Sequence, residues 1–545
     1  MPAPAPPIET DRSAGARSAQ LIASGVLLSR IAGLAREKLL GYYFGTTLWG
    51  SALRAGLRLP NILQNMLGEG TLSASFIPVY STLLARGEKQ AAGRVAGAVF
   101  SLLFALAGVF TLAGILLAPI LVRIVYRGFE PELYDATVAC VRILFPMTGV
   151  LVLSAWALGI LNSHGRFFLS YAAPALWNAA IITVLVVFGG RLGERSLMLA
   201  AAWGALLGGG LQFLVQLPWV LRLERSMRLG ADRSDPALRQ VFSNAGPAVL
   251  GRGAVQLGAW IDQFLASYLF TGAVAAMGYA QALYVLPFSL FGMSVAAAEL
   301  PQLAREGEAR LDAVRARIGA GLSRMVVLVV PSVVGYVLLG DRIVAALYEG
   351  GAFTASDTAL VHLTLVGYAL GLLPSTASRL YASAFYALND TRTPARIALF
   401  RVIVSAGAGL ALMLVLERYA VRAPFTFAAS AEGAADWRPL GVVGLAAASP
   451  IAAWLEWARL RRRAMERFGP IEESRPRTLR LVAAAVLAAA VSRLVLAALP
   501  EWAPIVIALV ILPVFGAAYF GLAHWFGVQD ATASLRRMAH RFGRR

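Results

Sequence analysis

The chain has 545 residues, of which 58% are hydrophobic and only 14% are charged, and its formal net charge is +19. Soluble globular domains carry about 25% charged residues, so this composition excludes a water-soluble protein and requires a lipid bilayer as the solvent. The single cysteine, Cys140, excludes an intrachain disulfide and is expected in the core, and the histidines lack metal-ligand spacing.

Hydrophobic segments follow one another along the whole chain, and runs of roughly 20 apolar residues are long enough to cross a bilayer. The sequence therefore predicts an all-α, polytopic membrane protein of about 14 transmembrane helices. An unstructured cytoplasmic lead over 1–18, without the apolar region of a cleavable signal peptide, precedes them. The predicted segments are 19–45, 48–83, 95–122, 136–161, 168–189, 197–221, 240–270, 274–303, 319–340, 358–388, 395–417, 440–461, 478–499 and 502–526.

Lysine and arginine residues are concentrated in alternate loops between these segments. By the positive-inside rule, those loops and both termini are expected in the cytoplasm. Most of the net charge is then explained by loops that face anionic membrane phospholipids. The arginines are divided among short loops and form no single stripe, which argues against nucleic-acid binding.

The first segment contains charges that a plain membrane anchor would not have. Arg30, Arg36, Glu37 and Lys38 fall close together in an otherwise apolar helix, and ionisable residues within a span usually mark function. Either the last three charges reach the membrane surface, or Arg30 and Arg36 face a water-filled cavity. Arg30, Gly33 and Glu37 share a helical face, whereas Arg36 lies about a third of a turn away, so convergence requires a bend that Gly33 can supply.

The second segment repeats this pattern. Arg54 and Arg58 are one helical turn apart, and Pro60 and Asn61 follow them. Pro60 should kink the helix, and broken helices at membrane depth are tolerated where they line a cavity. A regular helix would place Arg58 and Glu69 on nearly the same face, which predicts an internal ion pair between them.

Later segments add Arg252 and Asp262 in the seventh, Gln281 in the eighth and Arg379 in the tenth. Arginine pairs with phosphate through a planar fork and keeps its charge. Several arginines around a cavity therefore predict an anionic cargo, most naturally a phosphate or diphosphate. The chain has no Gly-rich nucleotide loop and no cofactor is expected, so the driving force would be an ion gradient, the membrane potential or consumption of the substrate.

Short motifs occur in one order along nearly the whole chain. They are residues 29–37, Phe44-Gly45, Leu59-Pro60-Asn61, Glu69-Gly70, residues 76–79, Leu161-Asn162, Arg166-Phe167, Pro174, Asn178, Gln212, residues 216–218, residues 246–248, Leu300-Pro301, residues 351–354, residues 385–387 and residues 390–394. In this order and spacing they resemble the MurJ/MviN family of lipid II flippases, within the multidrug/oligosaccharidyl-lipid/polysaccharide superfamily.

The resemblance implies a two-lobed rocking transporter of the MATE and MurJ type with a central cavity, in the bacterial inner membrane. The implied cargo is lipid II, the undecaprenyl-diphosphate-linked peptidoglycan precursor, and cell-wall synthesis proteins would be further partners. The implied parts are a first lobe over 19–221, a linker over 222–239, a second lobe over 240–461, a basic loop over 462–477, two spans beside a lipid-tail groove over 478–526 and a basic tail over 527–545.

The resemblance also assigns residues. The family arginines that bind the diphosphate match Arg30 and Arg36, the basic position before Leu-Pro-Asn matches Arg58, and the family glutamate matches Glu69. Together with Arg54, Asn61 and Arg252 these form the predicted substrate-binding set, and Gly33 and Pro60 are the predicted bends.

The chain departs from the family pattern at several positions. Ser51 stands where the family has an acid and Gln64 where it often has an arginine. In the eighth span, Gln281, Ala282 and Val285 replace an acid, an arginine and a glutamate. Either Arg252 or Arg54 compensates for the missing arginine, or the cargo differs.

Two alternatives to a lipid II flippase therefore stay open. One is a flippase for another undecaprenyl-diphosphate-linked oligosaccharide, and the other is a non-transporting regulator of envelope assembly. An enzyme is not expected, because the sequence shows no nucleophile–base pair and no metal cluster.

Overall fold

The structure is a computed structural model that describes residues 10–230, 235–293, 295–296, 299, 303, 311–388, 390–429, 436–471, 474–500 and 502–528. The described chain is almost entirely helical, which confirms the all-α prediction. The first helices are α1 Thr10–Phe44, α2 Leu48–Leu67, α3 Glu69–Ala85, α4 Lys89–Val125, α5 Pro131–Ser163, α6 Phe167–Ala172, α7 Pro174–Phe188, α8 Glu194–Leu223 and α9 Pro236–Ala266.

The remaining helices continue in the same manner. A π-helical turn, Phe288–Met293, directly follows α10. The helices are α10 Ala273–Pro287, α11 Leu311–Tyr348, α12 Ala355–Ala369, α13 Leu372–Ala387, α14 Arg392–Leu416, α15 Gly441–Phe468, α16 Arg475–Ala498 and α17 Pro504–Trp525. Helix starts follow local rules: proline is the first or second residue of α5, α7, α16 and α17. Thr354 and Asp357 form a capping box on α12.

Among the described residues, 11 helical stretches are long and apolar enough to cross a membrane. Three predicted segments are not among them, although each is helical. They correspond to α1, to the pair α2 and α3, and to α9. These helices hold the arginines on which the predicted binding site was based. They therefore differ from the 11 apolar stretches in polarity.

The start of α1 corrects one prediction. The segment 1–18 was expected to be unstructured, yet α1 begins at Thr10. Alanine recurs at 14, 16 and 19 and has the highest helix propensity, so the helix extends backwards from the apolar part of the span. Residues 1–9, and 529–545 of the predicted basic tail, lie outside the described residues.

The chain divides into two compact units, Met1–Trp260 and Ile261–Arg545. Their boundary lies within α9, beyond the predicted linker. In the first unit, α5 packs against α2, α3, α4 and α8. Trp156 of α5 is fully buried and its Nε1 donates to the Ala96 carbonyl at 3.1 Å. Cys140 is buried in this core, as predicted, where a Cβ at Gly56 would lie 2.6 Å from the Cys140 Cβ.

In the second unit, α15 packs against α12, α13 and α14, whereas α16 and α17 pair with each other and pack on α11. Arg493 of α16 fastens this pair to α11. Its Nη1 and Nη2 donate to the two carboxylate oxygens of Asp341 at 3.1 and 2.6 Å. Its Nε and Nη2 donate to the Leu338 carbonyl at 2.9 and 2.6 Å.

A small sheet between α14 and α15 was not predicted. Its strands are β1 Tyr419–Arg422, β2 Thr426–Ala429 and β3 Arg438–Pro439, antiparallel in the order β2-β1-β3. Val421 lies opposite both Phe427 and Arg438 in the register. The Arg438 Nε donates to Asp357 Oδ1 at 2.6 Å, which ties the sheet to the first turn of α12.

Candidate substrate-binding site

The first unit contains a buried carboxylate shared by two arginines. The Arg36 Nη2 donates to Glu37 Oε1 at 2.6 Å, and the Arg54 Nη2 donates to Glu37 Oε2 at 2.7 Å. Glu37 is only 8% exposed. The three side chains carry a net charge of +1 and join α1 to α2. Removing one partner of a buried ion pair costs about 3–5 kcal/mol, so this cluster is a fixed element of the unit.

Helix α7 holds the other side of Arg36. The Arg36 Nη1 donates to Asn178 Oδ1 at 2.9 Å, and the guanidinium carbon lies 4.6 Å from the centre of the Trp177 ring. Asn178 is oriented in turn, because its Nδ2 donates to the carbonyls of Ser29 and Pro174 at 3.4 and 3.3 Å. Arg36 is therefore positioned by contacts from α1 and α7.

One donor of this arrangement is not used. Within the described part of the chain, the Arg36 Nε is buried and has no hydrogen-bond partner. A buried N–H without an acceptor costs free energy, and a phosphate oxygen is a suitable acceptor for an arginine fork. The cluster can therefore bind an anion through a donor that the protein itself leaves unsatisfied.

The other predicted residues occupy different surroundings. Arg30 is exposed on α1, and Asn61 is exposed on α2. Arg58 is partly buried, and its charge acts on the hydroxyl of Tyr126 at the end of α4. The side chains of Glu69 and Arg252 lie outside the described residues.

The residues predicted to bend lie inside helices, and bending at them stays a prediction. Helix α1 continues through Gly33 without interruption, and α2 continues through the buried Pro60. The helical run is interrupted at Gly68 instead, where φ is −81° and ψ is −148°. A Cβ there would lie 2.3 Å from the Gln64 carbonyl oxygen, so this break requires glycine. Since Arg58 and Glu69 lie on opposite sides of it, the regular helix assumed for their ion pair is not present.

The sequence analysis does not predict that Trp177 contacts the Arg36 guanidinium or that Arg54 pairs with Glu37. A polar role for Asn178 could have been recognised in the sequence, because it is the single amide side chain in the apolar helix α7. The pairing of Arg54 was harder to predict, because its partner Glu37 lies on another helix. Gln281, at the divergent position of α10, donates to the Tyr368 hydroxyl at 3.0 Å and so links α10 to α12.

The chain is similar in sequence to known proteins. The family model described as lipid II flippase MurJ matches residues 40–513. A probable lipid II flippase MurJ of Rhizobium tropici is 31% identical over 76% of this chain and 78% of its own length. The lipid II flippase MurJ of Burkholderia cenocepacia is 31% identical over 71% of this chain and 76% of its own length.

Solved structures show the same fold. A lipid II flippase MurJ in an inward closed conformation has a TM-score of 0.71 at 19% identity, covering 93% of this chain and 98% of that one. An inward-facing MATE multidrug transporter of the MOP superfamily has a TM-score of 0.62 at 16% identity, covering 81% and 95%. The family match extends over most of the chain, so the chain belongs to the MurJ family of lipid II flippases.

Proposed function

We propose that the protein moves lipid II from the inner to the outer leaflet of the cytoplasmic membrane by alternating access, and that the lipid diphosphate binds at the Arg36–Glu37–Arg54 cluster. The observation that carries the proposal is the sharing of one buried carboxylate by two arginines at 2.6 and 2.7 Å. Arginines held in this way at membrane depth need a compensating anion, and the cargo is an anion.

The geometry supports an exchange of partners. Without cargo, Glu37 neutralises one of the two guanidiniums. A diphosphate would compete with Glu37 for the same forks and would supply an acceptor for the Arg36 Nε. Asn178 and Trp177 would keep the Arg36 guanidinium in place during this exchange. Arg30, Arg58, Asn61, Glu69 and Arg252 are proposed as further contacts of the head group.

Complementation tests the function directly. The full chain is expressed in a strain depleted of its own lipid II flippase, and growth is measured for wild type, Arg36→Ala and Arg54→Ala. Wild type should restore growth and both variants should not. Arg191→Ala is the matched control, since Arg191 is an exposed arginine of the same unit outside the site. Failure of wild type to restore growth would contradict the proposal.

A second cargo is favoured by one observation. Ala282 and Gln281 place no charge on α10, and Gln281 instead bonds to Tyr368, so the cargo could be another undecaprenyl-diphosphate-linked oligosaccharide. Restored export of such an oligosaccharide, in a strain that lacks its own flippase for it, would favour this cargo if lipid II complementation fails.

We infer that both termini are cytoplasmic, because the basic loops lie on their side of the spans. Cysteine labelling checks this inference with little background, since the only native cysteine, Cys140, is buried. A cysteine at Thr426 in β2 should react with an impermeant reagent added outside, and a cysteine at Arg462 should not. Equal labelling of both positions would contradict the orientation.

A further inference from the structure

The helix α13 contains an arginine that its surroundings do not explain. Eleven of its 16 residues are buried, yet Arg379 in its middle is exposed. Tyr386 is 45% exposed and lies seven residues later, so it shares the face of Arg379 to within about 20°. This face is the open side of an otherwise buried helix.

Two charges that act on the same tyrosine as Arg379 belong to neighbouring helices. The Arg401 Nη1 of α14 donates to Glu456 Oε2 of α15 at 2.7 Å, and Glu456 is 8% exposed. The charges of Arg379 and Arg401 both act on the hydroxyl of Tyr284 in α10. The charge of Glu456 is thus neutralised by Arg401. With Arg379 included, the three side chains carry a net charge of +1. Within the described part of the chain, no carboxylate forms an ion pair with Arg379.

An exposed arginine without a carboxylate is costly where lipid tails surround a helix. Arginines within membrane spans face a protein interior or a water-filled cavity, and they mark the paths of ions and substrates. Arg379 lies eight residues, about 12 Å, before the end of α13 at Ala387. That end is followed by Arg392 and Arg396 at the start of α14, and this basic side is the one from which an inner-leaflet lipid would enter.

We propose that Arg379 is an anion-binding residue of the second unit and that its ligand is a phosphate or diphosphate ester. The hydroxyl of Tyr386, a residue that is 45% exposed, supplies a second donor on the same face. The Arg401–Glu456 pair contributes no net charge and holds α14 and α15 beside α13, so that Arg379 alone provides the attraction. That the ester belongs to a polyprenyl diphosphate rests on the proposed function, whereas the anion site does not.

Binding to the detergent-solubilised full chain tests the site. The probes are a short-chain polyprenyl diphosphate, phosphatidylglycerol and inorganic diphosphate, and the variants are Arg379→Ala, Arg379→Lys and Tyr386→Phe. Loss of a hydrogen bond to a charged group weakens binding about tenfold or more, so this loss is expected for Arg379→Ala. Lysine should retain part of the affinity, because it keeps the charge but not the fork. Tyr386→Phe should have the smallest effect.

The control is Arg462→Ala, because Arg462 is an arginine of the same unit with an 83% exposed side chain, paired with Glu466. Its affinity should equal that of wild type. Misfolding cannot imitate the expected result, since removing a charge from a membrane helix lowers the cost of insertion; normal accumulation of Arg379→Ala verifies this.

The outcomes separate the site from the cargo. Arg379-dependent binding of the polyprenyl diphosphate supports both. Arg379-dependent binding of phosphatidylglycerol or inorganic diphosphate alone supports the anion site and counts against the proposed cargo. Failure of wild-type complementation together with Arg379-dependent binding would overturn the transport function and leave the site standing. Equal affinities of wild type and Arg379→Ala for all three probes, or no binding by wild type, would overturn the site.

Discussion

Two groups of two arginines and one glutamate, one around Glu37 in the first unit and one around Glu456 in the second, are built differently. In the first unit, Glu37 lies between Arg36 and Arg54 and contacts both. In the second, Glu456 pairs with Arg401, and Arg379 remains outside the pair. The net charge is +1 in both, yet only the first group is an internally connected network. The same net charge can thus be arranged as one connected network or as an ion pair beside a separate arginine.

The largest expected effect is on transport in the first unit. Arg36→Ala should abolish growth of a flippase-depleted strain, because it removes the guanidinium positioned by α7 as well as one contact of Glu37. The protein should still accumulate, since Arg54 continues to neutralise Glu37. Arg36→Lys should restore part of the growth, because the charge remains without the bidentate fork. Wild-type growth of the alanine variant would mean that Arg36 serves packing alone.

The next effect compares the two carboxylates by stability. Glu37→Ala removes the carboxylate that two partly buried arginines share, and breaking a buried pair costs about 3–5 kcal/mol. Glu456→Ala leaves only Arg401, whose side chain is 28% exposed, and should cost less. Thermal unfolding in detergent measures both values. A larger loss for Glu456→Ala would show that the shared carboxylate is not the stronger connection.

A smaller effect separates two positions in the second predicted span. Gly68→Ala forces a Cβ to within 2.3 Å of the Gln64 carbonyl oxygen, and such overpacking costs about 1–3 kcal/mol. Pro60→Ala can restore a backbone donor inside α2 and should leave stability nearly unchanged. Unfolding temperatures of both variants check this order. If Pro60→Ala were the more damaging change, the important break would lie at Pro60 after all.

The smallest effect depends on pH and contrasts Glu37, which accepts from two arginines, with Glu417, which accepts from a backbone N–H. Glu417, just after α14, accepts from the Gly441 N–H at 3.1 Å. Burial raises the pKa of Glu417 from 4.5 to about 7, although the Gly441 N–H opposes this. Its folded form binds the proton more tightly, so its contribution to stability is complete below pH 4.5 and is lost as pH rises through about 7.

Unfolding of wild type and Glu417→Gln between pH 5 and pH 8 measures this contribution. Wild type should lose about 1–2 kcal/mol over this range, and the glutamine variant should lose less because it cannot ionise. The same slope in both proteins would assign the pH dependence to another group.

The sequence predicts much of the fold because long apolar runs are sufficient for the plain spans. It predicts the sheet at 419–439 poorly, since strands of two to four residues are too short for an alternating pattern. The sequence also does not predict the interruption of the helix at Gly68. Pro60 is the stronger local signal, whereas the close contact that requires glycine at 68 is visible only in the structure.

The sequence predicts which residue types form the candidate site, but it does not predict which of these residues contact one another. The charges of α1 and α2 are visible as departures from an apolar pattern. Which arginine meets Glu37 depends on how α1 packs beside α2, and the support of Arg36 depends on α7, more than 140 residues later. Neighbours in sequence cannot show such contacts, and the exposure of Arg379 becomes informative only when the burial of the rest of α13 is known.

The fastening of α16 to α11 has a mechanical consequence. Arg493 engages two carboxylate oxygens and a backbone carbonyl at once, so sliding of one helix along the other would break several bonds together. Shear between these helices is therefore resisted more strongly than it would be by apolar packing alone. Helices α16 and α17 should therefore move together with α11, and Arg493→Leu should allow them to slide along α11 independently.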